Sequence, residues 1–184
     1  MNDGLIAARY ATALLDFANI SIASESVYNE VKAVLQSFSK FSELHSVLDN
    51  PVMAKTEKRK IIMLAAGGNV SATFERFVDL LWENNRENHL QSIMLKYVDL
   101  FRKQKNIHSG KLTTATTIEL PIEKKLLTLM EKETGGTVEL EKIVNPNILG
   151  GFLFEVDFVQ WDASLSGQLK RIRAEYIEQN KRIM

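Results

Sequence analysis

The run GGFLFEVDFVQWDASL, residues 150–165, places two glycines against an apparent strand, and that pairing raises the question of phosphate binding. A phosphate cradle needs a strand first, then a glycine loop, then a helix whose N-terminal amides face the anion. Here the glycines come before the strand, and no Lys-Ser or Lys-Thr pair follows them. The order of elements therefore predicts a bend or bulge at Gly150-Gly151, where the backbone passes closely by a neighbour. Gly67-Gly68 and Gly135-Gly136 read as helix terminators.

The remaining chemical side chains are as unpromising for catalysis. His45, His89 and His108 are far apart in sequence and lack a ligand-type partner at i+4, so no metal site is expected. Glu155 and Asp157 alternate on what reads as the wet face of one strand, the ordinary place for such carboxylates. Ser109, Ser164 and Ser166 have no elbow motif or nearby histidine. The basic run KTEKRK, residues 55–60, reads as a solvated helix face. No catalytic, cofactor-binding or metal-ligating residue is expected, and no cofactor.

Composition narrows the class further. The chain has 184 residues, 45% hydrophobic and 25% charged, typical of a soluble globular protein. Lys plus Arg equals Asp plus Glu at 23 each, so no net field steers the molecule to a polyanion and nucleic acid is not an expected partner. Cysteine is absent, which removes disulfides and thiolate chemistry. No run approaches the ~18 apolar residues of a membrane-spanning helix, and the start MNDGLIAARYATALLDFA has no leader pattern, so no direct membrane insertion and no transit peptide are expected.

The elements follow from periodicity. Apolar residues recur at helical spacing to about Lys105, predicting helices near 4–19, 24–40, 41–48, 55–66, 72–85 and 88–105. Beyond Lys105 the period drops to two. KLTTATTIEL (111–120) reads as a strand, Pro121 opens a helix to about Glu133, and TVELEKIV (137–144) is a second strand. Phe152, Phe154, Val156 and Phe158 alternate along a third, and a last helix starts near Asp162 or Ser164. The expected fold class is α+β: an N-terminal six-helix bundle, residues 1–105, then a small β-α-β-β-α domain, residues 106–184. Net charge runs +1 over 1–105, −4 over 106–162 and +3 over 163–184.

Two helices carry more apolar surface than one core needs. In the fifth, Val70, Phe74, Phe77, Val78, Leu80, Leu81 and Trp82 sweep an arc of about 200°, against roughly 100° for an ordinary amphipathic helix. The first has one stripe of Ile6, Tyr10, Ala13, Leu14 and Phe17 and a second of Ala8, Ala11, Leu15 and Ala18. Central positions in the bundle and a groove for a partner's amphipathic helix both account for this. In the last helix Leu165, Leu169, Ile172, Tyr176 and Ile183 form a heptad-like seam flanked by Lys170, Arg171, Arg173, Lys181 and Arg182. It docks on the chain's own sheet or on a partner.

Three segments carry a family resemblance: ARYATALLDFA (8–18), FERFVDLLWENNREN (74–88) and NPNILGGFLFEVDFVQWDASLSGQLKRI (145–172). Together they resemble the delta subunit of bacterial F-type ATP synthases, the counterpart of the mitochondrial oligomycin-sensitivity-conferring protein, over essentially the whole chain. Asn85, where many members have glycine, and Trp161, in place of an aliphatic residue, depart from the family pattern. The resemblance implies a non-catalytic stator subunit of a proton- or sodium-driven ATP synthase, peripheral on the cytoplasmic side of a bacterial membrane. It implies two partners: the N-terminal helix of an alpha subunit, in a groove between the first and fifth helices, and the peripheral-stalk b subunit, at the C-terminal domain. Tyr10, Leu14, Phe77, Leu80 and Leu81 are assigned to the groove, and Leu165, Leu169 and Ile172 to the stalk contact. A helical adaptor for another amphipathic helix, or an RNA-binding bundle using Lys55, Lys58, Arg59 and Lys60, is the alternative.

Overall fold

A computed structural model describes residues 3–148, 150–157 and 159–183, without the side chains of residues 3, 175 and 177–183. The chain divides into two units, residues 1–105 and 106–184. In the first, the helices are α1 (Asp3–Ile20), α2 (Ser24–Lys40), α3 (Glu43–Asp49), α4 (Lys55–Ala65), α5 (Ala72–Glu83) and α6 (Leu90–Lys105), with one 3-10 turn at Glu87–His89.

The apolar stripes close on one another as their spacing requires. Val27, Val31, Val34 and Phe38 of α2 are buried, as are Leu90, Ile93, Met94, Tyr97, Val98 and Phe101 of α6. Tyr28 stacks on Phe101 with ring centroids 4.2 Å apart. The Tyr97 hydroxyl donates to the Ser24 carbonyl at 3.3 Å, and burial pushes its pKa well above the ordinary phenol range. The most extensive helix pairing is α1 on α6. Small side chains permit it: Ala7, Ala11 and Ala18 are all buried.

The start and end of α5 are fixed by polar groups. Ser71 Oγ accepts from the Phe74 amide at 3.2 Å, and Glu30 of α2 accepts from both the amide and the hydroxyl of Ser71. At the other end the Arg86 amide donates to the Leu81 carbonyl at 2.9 Å and the Asn85 amide to that of Trp82 at 3.3 Å. This is a Schellman closure with its left-handed residue at Asn85, φ 53°. Asparagine tolerates that conformation better than most residues, so replacing the usual glycine leaves the turn intact.

The second unit holds β1 (Ile107–Thr114), α7 (Leu120–Thr134), β2 (Thr137–Val144), β3 (Phe152–Val156), β4 (Val159–Asp162) and α8 (Leu165–Ile183). The sheet order is β2-β1-β3-β4, with β1 and β2 parallel and the other pairs antiparallel. Leu112, Val138, Phe154 and Val156 are buried on one face, where Leu126 and Met130 of α7 pack with Ile118, Leu140 and Phe152. Ser109, Lys111, Glu139, Glu141 and Glu155 alternate with these residues on the other face.

Two details differ from the sequence reading. The element order is β-α-β-β-β-α, because the third strand ends at Val156 and the chain returns as β4. Val156 pairs with Val159, so the turn has only two residues, and Asp157 takes φ 49°. Phe158, read as a core position of that strand, lies outside the described residues. Strand β1 also begins four residues earlier than expected and ends at Thr114. At Gly110, within this strand, a Cβ would meet Val138 Cγ1 at 2.8 Å and Phe154 Cζ at 3.2 Å, so the missing side chain makes room for close packing.

Candidate functional site

The five groove residues fall into two sets. Leu14, Phe77 and Leu81 are core residues of the bundle, 1%, 4% and 0% exposed. Tyr10 is half-buried and Leu80 is 43% exposed, so these two are within reach of another molecule. Most of the wide arc on α5 is therefore internal packing, and Leu80 lies at one margin of it. At the opposite margin, beside Trp82, Arg59 of α4 grips Asp79 at 2.5 Å and Glu75 at 2.7 Å. On α1 the stripe of small residues faces the bundle, with Ala11, Leu15 and Ala18 buried. Ile6, Tyr10 and Phe17 of the other stripe are only partly covered, and Ala13 is exposed.

The basic run on α4 is engaged with the protein itself. Lys55 Nζ donates to the Trp82 carbonyl at 3.0 Å and to Asn85 Oδ1 at 2.5 Å. Lys58 is buried and donates to the Leu48 carbonyl, capping the end of α3. Hydrogen bonds from Arg59 to Asp79, then to Glu75, raise its pKa further above its ordinary value. Lys55, Thr56, Glu57 and Lys60 are exposed, as a solvated helix face requires, while Lys58 is buried and Arg59 half-buried among internal acceptors. Three of the four cations assigned to an RNA-binding alternative are already donating to internal acceptors.

On α8 the seam is open. Leu165, Leu169, Ile172 and Tyr176 are 50%, 61%, 62% and 66% exposed, at i, i+4, i+7 and i+11. Ile183, Lys181 and Arg182 lie outside the described side chains. The helix is anchored at its start, where Ser164 and Gly167 are buried. Asp162 Oδ1 accepts from the Ser164 amide at 2.9 Å and from its hydroxyl at 2.5 Å, and Ser164 Oγ accepts from the Gly167 amide at 3.0 Å. Gly167 has no room for a Cβ against the Asp162 carboxylate.

The Ser164 hydroxyl, then its amide, holds the Asp162 pKa below the ordinary carboxylate value. A lowered folded-state pKa gives a stabilisation that is full above the unfolded value of about 3.9 and is lost as pH falls through the folded one. Amide-exchange protection at Gly167 is therefore expected to be flat above about pH 5 and to decline only below about pH 4. In Asp162→Ala the protection should be low throughout. A decline centred near neutral pH would contradict this cap.

The glycine pair is a close-approach device and not a cradle. Gly150 and Gly151 have φ 138° and 76°, both in the region that favours glycine. The Gly150 carbonyl accepts from the Leu165 amide at 3.1 Å, and the Ala163 amide donates to the Phe152 carbonyl at 3.0 Å. A Cβ on Gly151 would lie on the Ala163 carbonyl oxygen.

One pair escaped the sequence reading: His108 Nδ1 meets Asp157 Oδ2 at 2.7 Å. Asp157 is not on a strand face beside Glu155 but in the β3–β4 turn, and the sheet brings that turn to the start of β1. The only signal in sequence would have been the turn itself. Among the described residues His108 Nε2 is buried without a partner, while Nδ1 faces the Asp157 carboxylate. Among the described residues no three His, Cys, Asp or Glu side chains converge as metal ligands, and no helix is long and apolar enough to cross a membrane.

The family model "ATP synthase delta (OSCP) subunit" matches residues 6–175. ATP synthase subunit delta of Phocaeicola vulgatus is 41% identical over 182 residues, covering 98% of each chain. That of Bacteroides thetaiotaomicron is 37% identical over 186 residues, covering 100% of each. In solved structures, a chain of the Toxoplasma gondii mitochondrial ATP synthase hexamer shares the fold with a TM-score of 0.65 at 19% identity, covering 96% of this chain and 98% of that one. With a family match across most of its length and relatives of this identity over its whole length, the chain belongs to the ATP synthase delta (OSCP) subunit family.

Proposed function

We propose that this ATP synthase subunit works through two partner surfaces, one on each unit, and through no chemistry of its own. It is a stator component, holding the catalytic head still while the rotor turns. The N-terminal unit receives the N-terminal helix of an alpha subunit along α1 and the Leu80 margin of α5. Tyr10 and Leu80 touch that helix, while Leu14, Phe77 and Leu81 form the floor beneath them. The C-terminal unit receives the end of the peripheral-stalk b subunit on the Leu165, Leu169 and Ile172 stripe of α8. The complex holds the subunit peripherally on the cytoplasmic side of a bacterial membrane.

The observation that carries this reading is apolar surface without an internal partner: large side chains at regular helical spacing, exposed on α8 and partly exposed on α1. A torque-bearing link needs two separate attachments, and each unit supplies one candidate. Burying three or four such side chains is worth about 1.5–3 kcal/mol each, against an association cost of about 4–15 kcal/mol. Either surface alone binds moderately, and tight attachment needs both.

The test is calorimetric titration of the full chain with a synthetic peptide of the cognate alpha subunit's N-terminal helix. Stoichiometric binding with a negative heat-capacity change is expected. Leu80→Asp places a charge in the contact and should weaken binding about a hundredfold. Because Leu80 is already exposed, the substitution should leave the fold intact. Undiminished binding by a folded Leu80→Asp protein would overturn the groove.

A further inference from the structure

The turn between α5 and α6 carries a carboxyl group that the fold leaves unexplained. Glu87 opens the 3-10 turn Glu87–His89, and its Oε2 is closed to solvent with no hydrogen-bond partner among the described residues. Nearly every buried polar atom of a folded protein has a partner, so an inaccessible oxygen without one points to an ion, a water or a proton. Facing the turn is α3, which packs on it and on α2.

Between them lies a cavity of about 40 Å³, and about 10–15 Å³ is enough for one water-sized occupant. Phe38 and Leu48 are its buried lining. His45 and Asp49, one turn apart on α3, line one side, and Glu87, Asn88 and Gln91 line the other. No lysine or arginine lines it. Lys58, buried on α4, already donates to the Leu48 carbonyl.

The surroundings thus hold two carboxyl groups, two amide oxygens and the C-terminal end of α3, the end of a helix that favours positive charge. No permanent cation answers them, and water alone leaves their charge unmatched. His45, Asp49 and Glu87 do not converge as three ligands, so the set does not suit a divalent ion. A singly charged alkali ion needs less, since one carboxylate with amide and water oxygens can replace its hydration shell.

We propose that this cavity binds one alkali cation, sodium or potassium, held by Glu87 with the amide oxygens of Asn88 or Gln91. The ion clips α3 to the turn that leads into α6. None of the residues assigned to the partner surfaces lines the cavity, so the site is independent of both.

Sodium-23 relaxation of the full chain in dilute sodium chloride, with melting curves in matched salts, tests the site. Excess broadening over buffer is expected. Potassium chloride should remove it, whereas tetramethylammonium chloride at equal ionic strength should not, its cation being too large for the cavity. By mass action sodium or potassium chloride should also raise the melting temperature above that in tetramethylammonium chloride. Glu87→Gln keeps the shape without the charge and should lose both effects, while Glu133→Gln, at an exposed carboxyl of the other unit, should keep them. A melting temperature that responds to potassium alone identifies a potassium site. Broadening that tetramethylammonium removes as well as potassium, or that survives in Glu87→Gln, means diffuse surface attraction and overturns the proposal. A parent with neither broadening nor a salt-specific rise overturns it too, the oxygen then being closed by a proton or a water. If Glu87→Gln fails to fold, the competition between salts in the parent decides alone.

Discussion

Gly151→Val removes the folded state of the C-terminal sheet at ordinary temperature. Three costs fall on one residue. A β-branched side chain must adopt φ 76°, its Cβ must displace the Ala163 carbonyl, and the same atom lies about 3.0 Å from the Ser164 Cα. Backbone strain of this kind costs about 1–3 kcal/mol, and overpacking against backbone that cannot move aside costs a similar amount. Together they remove about 4 kcal/mol from a unit whose core, among the described residues, has four buried hydrophobic side chains. Hydrogen exchange at the β1 and β3 amides reads the effect. Native protection there in Gly151→Val would mean that the loop can relax and that the glycine is not required. Gly151→Ala should fall between, since it keeps the collision but lacks the branched carbon.

The second large effect is expected at Trp82. Its indole is 6% exposed and its Nε1 donates to the Lys55 carbonyl at 3.1 Å, while Lys55 Nζ returns a bond to the Trp82 carbonyl. The ring thus fills space under α4 and ties the start of that helix to the end of α5. Trp82→Ala loses the ring volume and the hydrogen bond and should cost about 3–5 kcal/mol in urea denaturation. Trp82→Phe keeps most of the apolar volume and should cost about 1 kcal/mol for the lost bond, with a further small packing penalty. Equal losses in the two variants would show that the hydrogen bond, not the packing, carries the contribution.

How much of this was legible in sequence depends on the kind of signal each element gives. The helices of the first unit were readable because burial on one face writes a 3.6-residue period over many turns. So was β2, a clean alternation closed by Gly135-Gly136 and Asn145-Pro146. The fourth strand was hidden for a geometric reason. A two-residue turn with no Asn-Gly or Asp-Gly joins β3 to β4, so the alternating pattern runs on through Asp157 and reads as one strand. Strand β1 was displaced because the Thr-rich run KLTTATTIEL dominates the β signal, whereas the strand begins at Ile107 and passes through Gly110, whose missing side chain leaves room for Val138 and Phe154.

The partner surfaces were only half legible. On α5, periodicity counts apolar residues but cannot tell which wall of a bundle covers them. Phe77 and Leu81 turned out to be inside and Leu80 at the margin. On α1 periodicity could not tell that Leu14 of the first stripe is buried while Tyr10 beside it is partly exposed, since both lie on the same apolar face. The left-handed backbone of Ile22 at the end of α1, φ 53°, leaves no mark in the sequence.

From Gln168 to Tyr176 every described side chain of α8 is exposed, and the buried anchor is confined to the turn around Ser164 and Gly167. Among its described side chains the helix is tied near its start, the last tie being Arg171 Nη2 donating to the Asp162 carbonyl at 2.7 Å, and an isolated helix of 19 residues is marginal in water. In the proposed stalk contact, a second helix along the Leu165 to Tyr176 stripe would lend the helix its bending stiffness. Docking as proposed would then double as a check that force is transmitted only through subunits already seated on their partner.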